Sequence, residues 1–599
     1  MKTLPLRSEI ADQFKWNAEQ VFPSRQAWAT ELQAVEAMLP QVAAYQGRLS
    51  EGAGVLADWF DLSSSVFRRA MKLFFYARMS QACETTDQEA IGMTGQAGGL
   101  LARYGAAAAF ESPELLGVGE STLMGWTDSE PRLAAFKQFF SDLFRQQQHV
   151  RSPEVEEILA MARDPFSAVD NTEEMLTSAD MQFKPVTSSS GEVLPLAQST
   201  IGSFMENPDR EVRRQAWENY ADSYLSLKNT LASNYLASVK RDVFFARARR
   251  YETALDASLF QYNIPRAVFH SLIDTFRQNI PTWHKYWAIR RRALGVDTLQ
   301  PYDIWAPLTT QPPVVPFEQA VAWISDALTP LGQSYAETIR RGCLEERWVD
   351  VYPNQGKTAG AFSFGTYDTA PYIMMSYDDN LGAMSTLTHE LGHSMHSYLA
   401  RKTQPFVYGD YSLFAAEVAS NFHQAMTRAH LFEANADRAF QIALIEEAMT
   451  NLHRYFFIMP TLARFELEIH TRAEAGKAIT ADDLIALMAD LFSEGYGSEM
   501  HVDRERVGIT WAQFGHLYAN YYVFQYATGI SAAHSLAGRI RAGEAGAAQR
   551  YVEFLSAGSS MYPVDALRHA GVDMTSPEPV ERTFAVLASY VDKLGELTA

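Results

Sequence analysis

The sequence predicts a mainly α protein, a large multi-helix body with one small β-sheet set into it. Three observations point there. Through most of the chain, apolar residues recur three or four apart over several turns, the spacing of one helix face. Residues favouring strands are concentrated in a single stretch, 348–384. The helical pattern then resumes at residue 385 and holds to the end of the sequence.

Taken in order, helical patterns cover residues 26–46, 64–83, 130–163, 205–250, 266–294 and 317–341. "GAGVLA" (52–57) imitates a dinucleotide-binding fingerprint, but a polar segment precedes it where a buried strand is required, so it reads as a helix start. "PVTSSSGEVLPL" (185–196) reads as a polar turn between short extended pieces. It is the best domain boundary in the first third, dividing an N-terminal helical domain (1–195) from a second helical domain (196–599). "TTQPPVVPF" (309–317) is too rich in proline to be helical. Within 348–384, "PYIMMSY" (371–377) reads as a strand, and its leading proline suggests a sheet edge or the beginning of a strand. No internal repeat or low-complexity tract interrupts the pattern.

Bulk properties exclude several function classes. The 599 residues are 47% hydrophobic and 20% charged, which suits a soluble chain able to bury a large core. A net charge of −20 makes nucleic acid a poor partner, because phosphate binding requires excess lysine and arginine. Two cysteines far apart, Cys83 and Cys343, exclude a disulfide framework and a thiolate metal site, and they suit a reducing cytoplasm. The first residues lack the apolar core of a signal peptide, and no apolar run approaches the ~20 residues of a membrane span. A cytoplasmic location is expected.

The chemistry is concentrated in "STLTHELGHSMHSYLARK" (385–402). His389 and His393 are four apart, so on a helix both present a nitrogen to one Zn²⁺. Glu390 is rotated about 100° from His389, beside the metal rather than on it, where it can serve as a base. Pairing His393 with His396 instead would leave no such base, since Ser394 follows the first member. An extended three-histidine motif also fails, because its glycine and third-histidine positions hold His396 and Leu399. The third ligand must come from elsewhere. Glu417 is the candidate, among the small residues Ala415, Ala416, Ala419 and Ser420 that would let a second helix approach closely. His389, His393 and Glu417 leave a fourth position open, as a catalytic zinc requires. His396, one turn beyond His393 on the same stripe, either supports the site or packs the helix.

"HELGHSMHSYLARK", followed 24 residues after its second histidine by the Glu of "FAAEVAS", resembles the oligoendopeptidase F branch of the thimet-oligopeptidase family. The blocks 207–265, 294–308, 356–377 and 514–529 are similar to family blocks, and coverage runs from about residue 110 to about 590. The resemblance implies a zinc metalloendopeptidase with a thermolysin-like zincin core deep in a channel. It would hydrolyse internal bonds of short unstructured peptides, using one Zn²⁺ held by His389, His393 and Glu417. Glu390 would activate a water on the metal and pass its proton to the leaving amine.

"FGHLYANYYVFQYATG" (514–529) reads as one helix carrying His516, Tyr518, Tyr521, Tyr522 and Tyr526. The resemblance favours His516 and one or two tyrosines as oxyanion donors; Tyr522 and Tyr526 are chosen because residues four apart share a face. Substrate is expected on the 371–377 strand at Tyr372, Ile373 and Met374, with Gly356 and Gly360 beside it either letting the chain approach or bend or forming a plain structural turn. The chain departs from the family where "NFHQ" places His423 and Gln424, and where Phe524 stands for an expected tyrosine. A metal-holding peptide scaffold that does not cut is the alternative reading, and an intact Glu390 argues against it.

Overall fold

The computed structural model describes residues 4–309 and 312–599; two residues of the expected 309–317 loop, 310 and 311, lie outside them. In chain order the helices that matter for function are α1 (Ala53–Cys83), α2 (Lys228–Ala248), α3 (Arg266–Ala293), α4 (Leu381–Thr403), α5 (Leu413–Ala434), α6 (Met459–Glu474) and α7 (Phe524–Arg541). The strands are short: β1 (Val186–Thr187), β2 (Val193–Leu194), β3 (Val349–Asp350), β4 (Phe362–Phe364) and β5 (Tyr372–Met374). Among the described residues no helix is long and apolar enough to cross a membrane. The mainly α expectation holds, with strands confined to two small sheets.

The chain forms two compact units, neither of them continuous. One comprises residues 1–148, 314–431 and 536–571; the other comprises 149–313, 432–535 and 572–599. No unit boundary falls at the 195/196 division. The polar turn there joins β1 to β2 in an antiparallel hairpin, Val186 opposite Leu194, inside the second unit.

Several helices end where local chemistry dictates. α1 starts directly after Gly52, earlier than the 64–83 pattern, in keeping with "GAGVLA" as a helix start. The 130–163 pattern is interrupted after Gln147 and resumes at Pro153, whose fixed φ and missing N–H suit the first position of a helix. The 205–250 pattern is two helices that meet at Leu227.

In the first unit, β5 is the central strand of the three-stranded sheet. It runs parallel to β3, with Val349 opposite Ile373, and antiparallel to β4, with Ser363 opposite Ile373. Tyr372, Ile373 and Met374 are each 1% exposed or less. Tyr372 and Met374 belong to the core built on α1, where the Phe75 ring lies 5.9 Å from Tyr372 and 4.9 Å from Phe364 of β4. Of the two readings of Pro371, the sheet edge is therefore corrected and the strand beginning holds. Pro371 precedes the first paired residue of β5, so its missing N–H costs no ladder bond even in a central strand. The edge nearer the histidine helix is β4.

α4 follows β5 and is buried on nearly every side, as expected of a helix at the centre of a unit. Asn380 caps it, its side-chain oxygen accepting the Ala383 amide at 2.8 Å. Arg401 and Lys402 in the last turn suit the helix dipole, and Pro405 follows the end.

Candidate active site

α4 and α5 meet at small residues on both sides. A Cβ built on Gly392 would lie 2.5 Å from the Ala419 carbonyl oxygen and 2.5 Å from Ser420 Cα. Only a hydrogen at this position allows so close an approach. The small residues around Glu417 thus have a counterpart inside the histidine motif itself, and the close crossing sets Glu417 beside the two histidines.

His389 Nε2 lies 3.1 Å from His393 Nε2 and 3.6 Å from Glu417 Oε2. The three ligating atoms fall within 4.8 Å of one another. Atoms held about 2.0–2.1 Å from a tetrahedral zinc are separated by about 3.3 Å, so the spacing fits such an ion. Burial pushes the His393 imidazole down to about 4, so at neutral pH it offers the unprotonated nitrogen that binding a metal would require.

Neighbouring groups orient these side chains. Gln424 Oε1 faces His389 Nδ1 at 3.4 Å, while its Nε2 donates to Ser385 Oγ at 2.8 Å. With its amide N–H₂ engaged, Gln424 presents an acceptor to His389, which leaves Nε2 of that ring with the free lone pair. Ser420 Oγ donates to Glu417 Oε2 at 3.0 Å. Tyr411 Oη donates to the His393 carbonyl at 3.2 Å and bonds Ser397 Oγ at 2.9 Å.

Glu390 is 7% exposed and its carboxyl is pushed up to about 7, chiefly by burial, with the Glu417 charge adding. His389 and the Ser363 backbone amide, which donates to the carboxylate, oppose the shift. Ser363 also ties β4 to α4, its hydroxyl 2.8 Å from Ser394 Oγ. A buried carboxyl titrating near neutrality beside the ligand cluster is suited to taking and returning a proton.

His396 does not join the ligand cluster. Its ring lies face to face on Tyr411, centroids 3.5 Å apart and planes within 3°, and 5.4 Å from the Phe554 ring. Burial holds it far below its ordinary pKa, so it is neutral. Its link to the site runs through Tyr411 to the His393 backbone. His423 is likewise buried, 2.6 Å from Tyr335 Oη. Gly360, just before β4, has φ +86° with open space around it, so it serves as a turn that other residues would strain.

The remaining predicted residues lie in the second unit, and not on one helix. Residues 515–518 form a 3₁₀ turn, Tyr521 adopts φ +48°, and α7 begins only at Phe524. The single-helix expectation for 514–529 is corrected: a left-handed residue cannot continue an α-helix. Tyr522 Oη and Tyr526 Oη are nonetheless 2.6 Å apart, and the His516 ring lies 5.9 Å from each tyrosine ring. Tyr455 stacks on Tyr526 at 5.3 Å. Burial, with Arg454 nearby, keeps His516 below its ordinary pKa. Tyr518 and Tyr521 are core residues, packed against Tyr235 and Phe269 respectively. Phe524 is also core, 5.3 Å from the Phe269 ring.

Sequence reading missed Gly392, Tyr411 and Ser363, and it noted Gln424 only as a departure from the family pattern, without its contact to His389. Gly392 alone carried a legible signal, a helix-breaking residue kept in mid-helix, which points to a close contact.

Two family models match the chain: "Peptidase family M3" over residues 203–586 and "Oligopeptidase F" over residues 114–183. The chain is 36% identical to oligopeptidase PepF of Bacillus subtilis, covering 99% of this chain and 88% of the relative. It is 33% identical to group B oligopeptidase PepB of Streptococcus agalactiae, covering 99% and 98%. Among solved structures, an oligoendopeptidase-F from Enterococcus faecium superposes with a TM-score of 0.75 at 27% identity, covering 96% of this chain and 99% of that one.

Proposed function

Since the chain belongs to peptidase family M3, in its oligopeptidase F branch, and is a peptide hydrolase, we propose that it is a zinc-dependent endopeptidase of short, unstructured peptides, acting in the cytoplasm. One Zn²⁺ would be held by His389 Nε2, His393 Nε2 and Glu417, and when bound it supplies Lewis-acid polarisation of the scissile carbonyl and an acidified water. The observation that carries this reading is the convergence of those three ligating atoms within 4.8 Å, with Glu390 buried beside them.

Glu390 then takes the proton of the attacking water on its carboxylate and delivers it to the leaving amine nitrogen. Its raised pKa matches that double task, since it readily holds a proton and readily gives it up near pH 7. His516, Tyr522 and Tyr526 are the proposed donors to the developing oxyanion. For the substrate backbone we assign β4, around Phe362–Phe364, in place of the buried β5. Among the described residues no strand pairs with β4 on the side away from β5, where the Ser363 amide already meets the Glu390 carboxylate, and an extended peptide can pair with such an edge.

The test is Glu390→Gln, which leaves the ligands intact and removes the base. Hydrolysis of a quenched fluorescent nonapeptide should fall by about 10²–10⁴-fold while zinc content is unchanged. Wild-type turnover by this variant would refute the mechanism. Loss of turnover with peptide still bound is expected here; a protein that binds peptide but never cuts it, even with Glu390 present, would be the scaffold alternative.

A further inference from the structure

We propose that Glu466 is a positioning residue for the His516–Tyr522–Tyr526 cluster, its buried carboxyl capturing the Tyr521 amide and so holding the backbone kink that assembles the cluster. The inference rests on the reading of those three side chains as oxyanion donors.

On a continuous helix His516 and Tyr526, ten residues apart, would be separated by about 15 Å along the axis. Their rings are instead 5.9 Å apart, because the chain doubles back between Tyr518 and Tyr522. The reversal centres on Tyr521, a bulky residue at φ +48°, which costs backbone energy and persists only where the surroundings over-determine it.

Those surroundings are visible. Glu466, on α6 and fully buried, accepts the Tyr521 N–H on Oε1 at 2.7 Å. One residue earlier, the Asn520 carbonyl accepts from Ser258 Oγ and the Asn520 side chain donates to the Ala254 carbonyl, both at 3.0 Å. Arg241 of α2 donates to the Tyr518 carbonyl. Of these contacts, only the one from Glu466 holds the left-handed residue itself.

Burying a carboxyl is expensive, and here it has company. His470, one turn further along α6, lies 3.5 Å from Asp242 Oδ2, and its ring is 4.9 Å from that of Tyr521. Nothing in the hydrolytic chemistry uses these buried groups directly. Holding a strained turn accounts for why Glu466 occupies a site that an apolar residue would fill more favourably.

Three substitutions at position 466 separate positioning from packing. Glu466→Gln keeps an acceptor at the same atom. Glu466→Leu removes it, and Glu466→Asp keeps the carboxylate but withdraws it from the Tyr521 amide. Each is assayed with the nonapeptide for kcat and KM and for zinc content, beside Tyr522→Phe and Tyr526→Phe. We expect Glu466→Leu and Glu466→Asp to lower kcat by about 10²-fold, the usual effect of a misplaced catalytic group. KM and zinc content should be nearly unchanged, and Glu466→Gln should restore kcat to near wild type. If Glu466→Leu does not fold, Glu466→Asp carries the same comparison. Unchanged kcat in Glu466→Asp, with the tyrosine variants impaired, overturns the positioning role. Unchanged kcat in both tyrosine variants overturns instead the oxyanion reading beneath it.

Discussion

The most discriminating perturbation is Gly392→Ala, a single methyl placed where α4 meets α5. Judged by helix propensity alone, this change should stabilise the protein, since alanine is favoured over glycine in mid-helix by about 1 kcal/mol. The packing says otherwise. The new Cβ would lie 2.5 Å from the Ala419 oxygen and 2.5 Å from Ser420 Cα. Carbon contacts are comfortable near about 3.5–4.0 Å, so the two helices must part by about 1 Å at the crossing. Both clashing atoms belong to backbone, which cannot swing aside as a flexible side chain could. Glu417 sits one turn before Ser420 and moves with it, opening the 3.6 Å separation from His389. A metal site tolerates about 0.2 Å in its ligand distances, so the displacement exceeds the tolerance several-fold. Zinc affinity should fall by about 100-fold or more, the upper range for lost support of a ligand. The assay is competition of metal-free protein with a chromophoric chelator, with far-UV circular dichroism to establish that helix content is retained. Wild-type zinc affinity in a folded Gly392→Ala protein would refute the claim that this contact sets the ligand geometry.

Two further outcomes follow from neighbouring features. Gln424→Leu removes the acceptor facing His389 Nδ1, so zinc affinity should drop by about 10–100-fold, whereas Gln424→Glu keeps an acceptor and should bind zinc well; equal affinities for the two would show that the contact is incidental. His453 concerns stability rather than catalysis. It is buried among Trp287, Trp305 and Phe457, and burial pushes its pKa down to about 3 from an ordinary 6.5. The unfolded chain takes up a proton there below pH 6.5 and the folded chain does not until about pH 3. Stability from this group is therefore complete above pH 6.5 and lost as pH falls, by at most about 1.4 kcal/mol per pH unit. His453→Leu should show a flatter loss of urea midpoint between neutral pH and about pH 5; an unchanged slope would refute the assignment.

Legibility differed sharply along the chain. The helices and the β-favouring stretch were readable because periodicity and turn chemistry act within a few residues. The grouping of His389, Glu390 and His393 was readable for the same reason, since a helix dictates where residues one and four apart must point. Glu417 could be nominated from its small neighbours, although what those neighbours touch lies in another segment. Fold class and family thus come through in local sequence, whereas the membership of the two compact units does not, because each is assembled from segments far apart in the chain.

What the amino-acid sequence determined by itself is the helical body and the identity of the chemistry-bearing side chains on one helix. Tertiary structure decided everything that depends on which distant segments meet. β5 is central rather than an edge because β3 and β4 pair with it on both sides, and strand pairing is non-local. His396 stacks on Tyr411 because α4 and the segment leading into α5 face each other there. Gln424 reaches His389, and Gly392 accepts Ser420, only through the same helix crossing. His516 meets Tyr526 because Tyr521 is held left-handed by a glutamate 55 residues away in sequence. Local rules choose the elements; the burial of their faces against one another chooses the site.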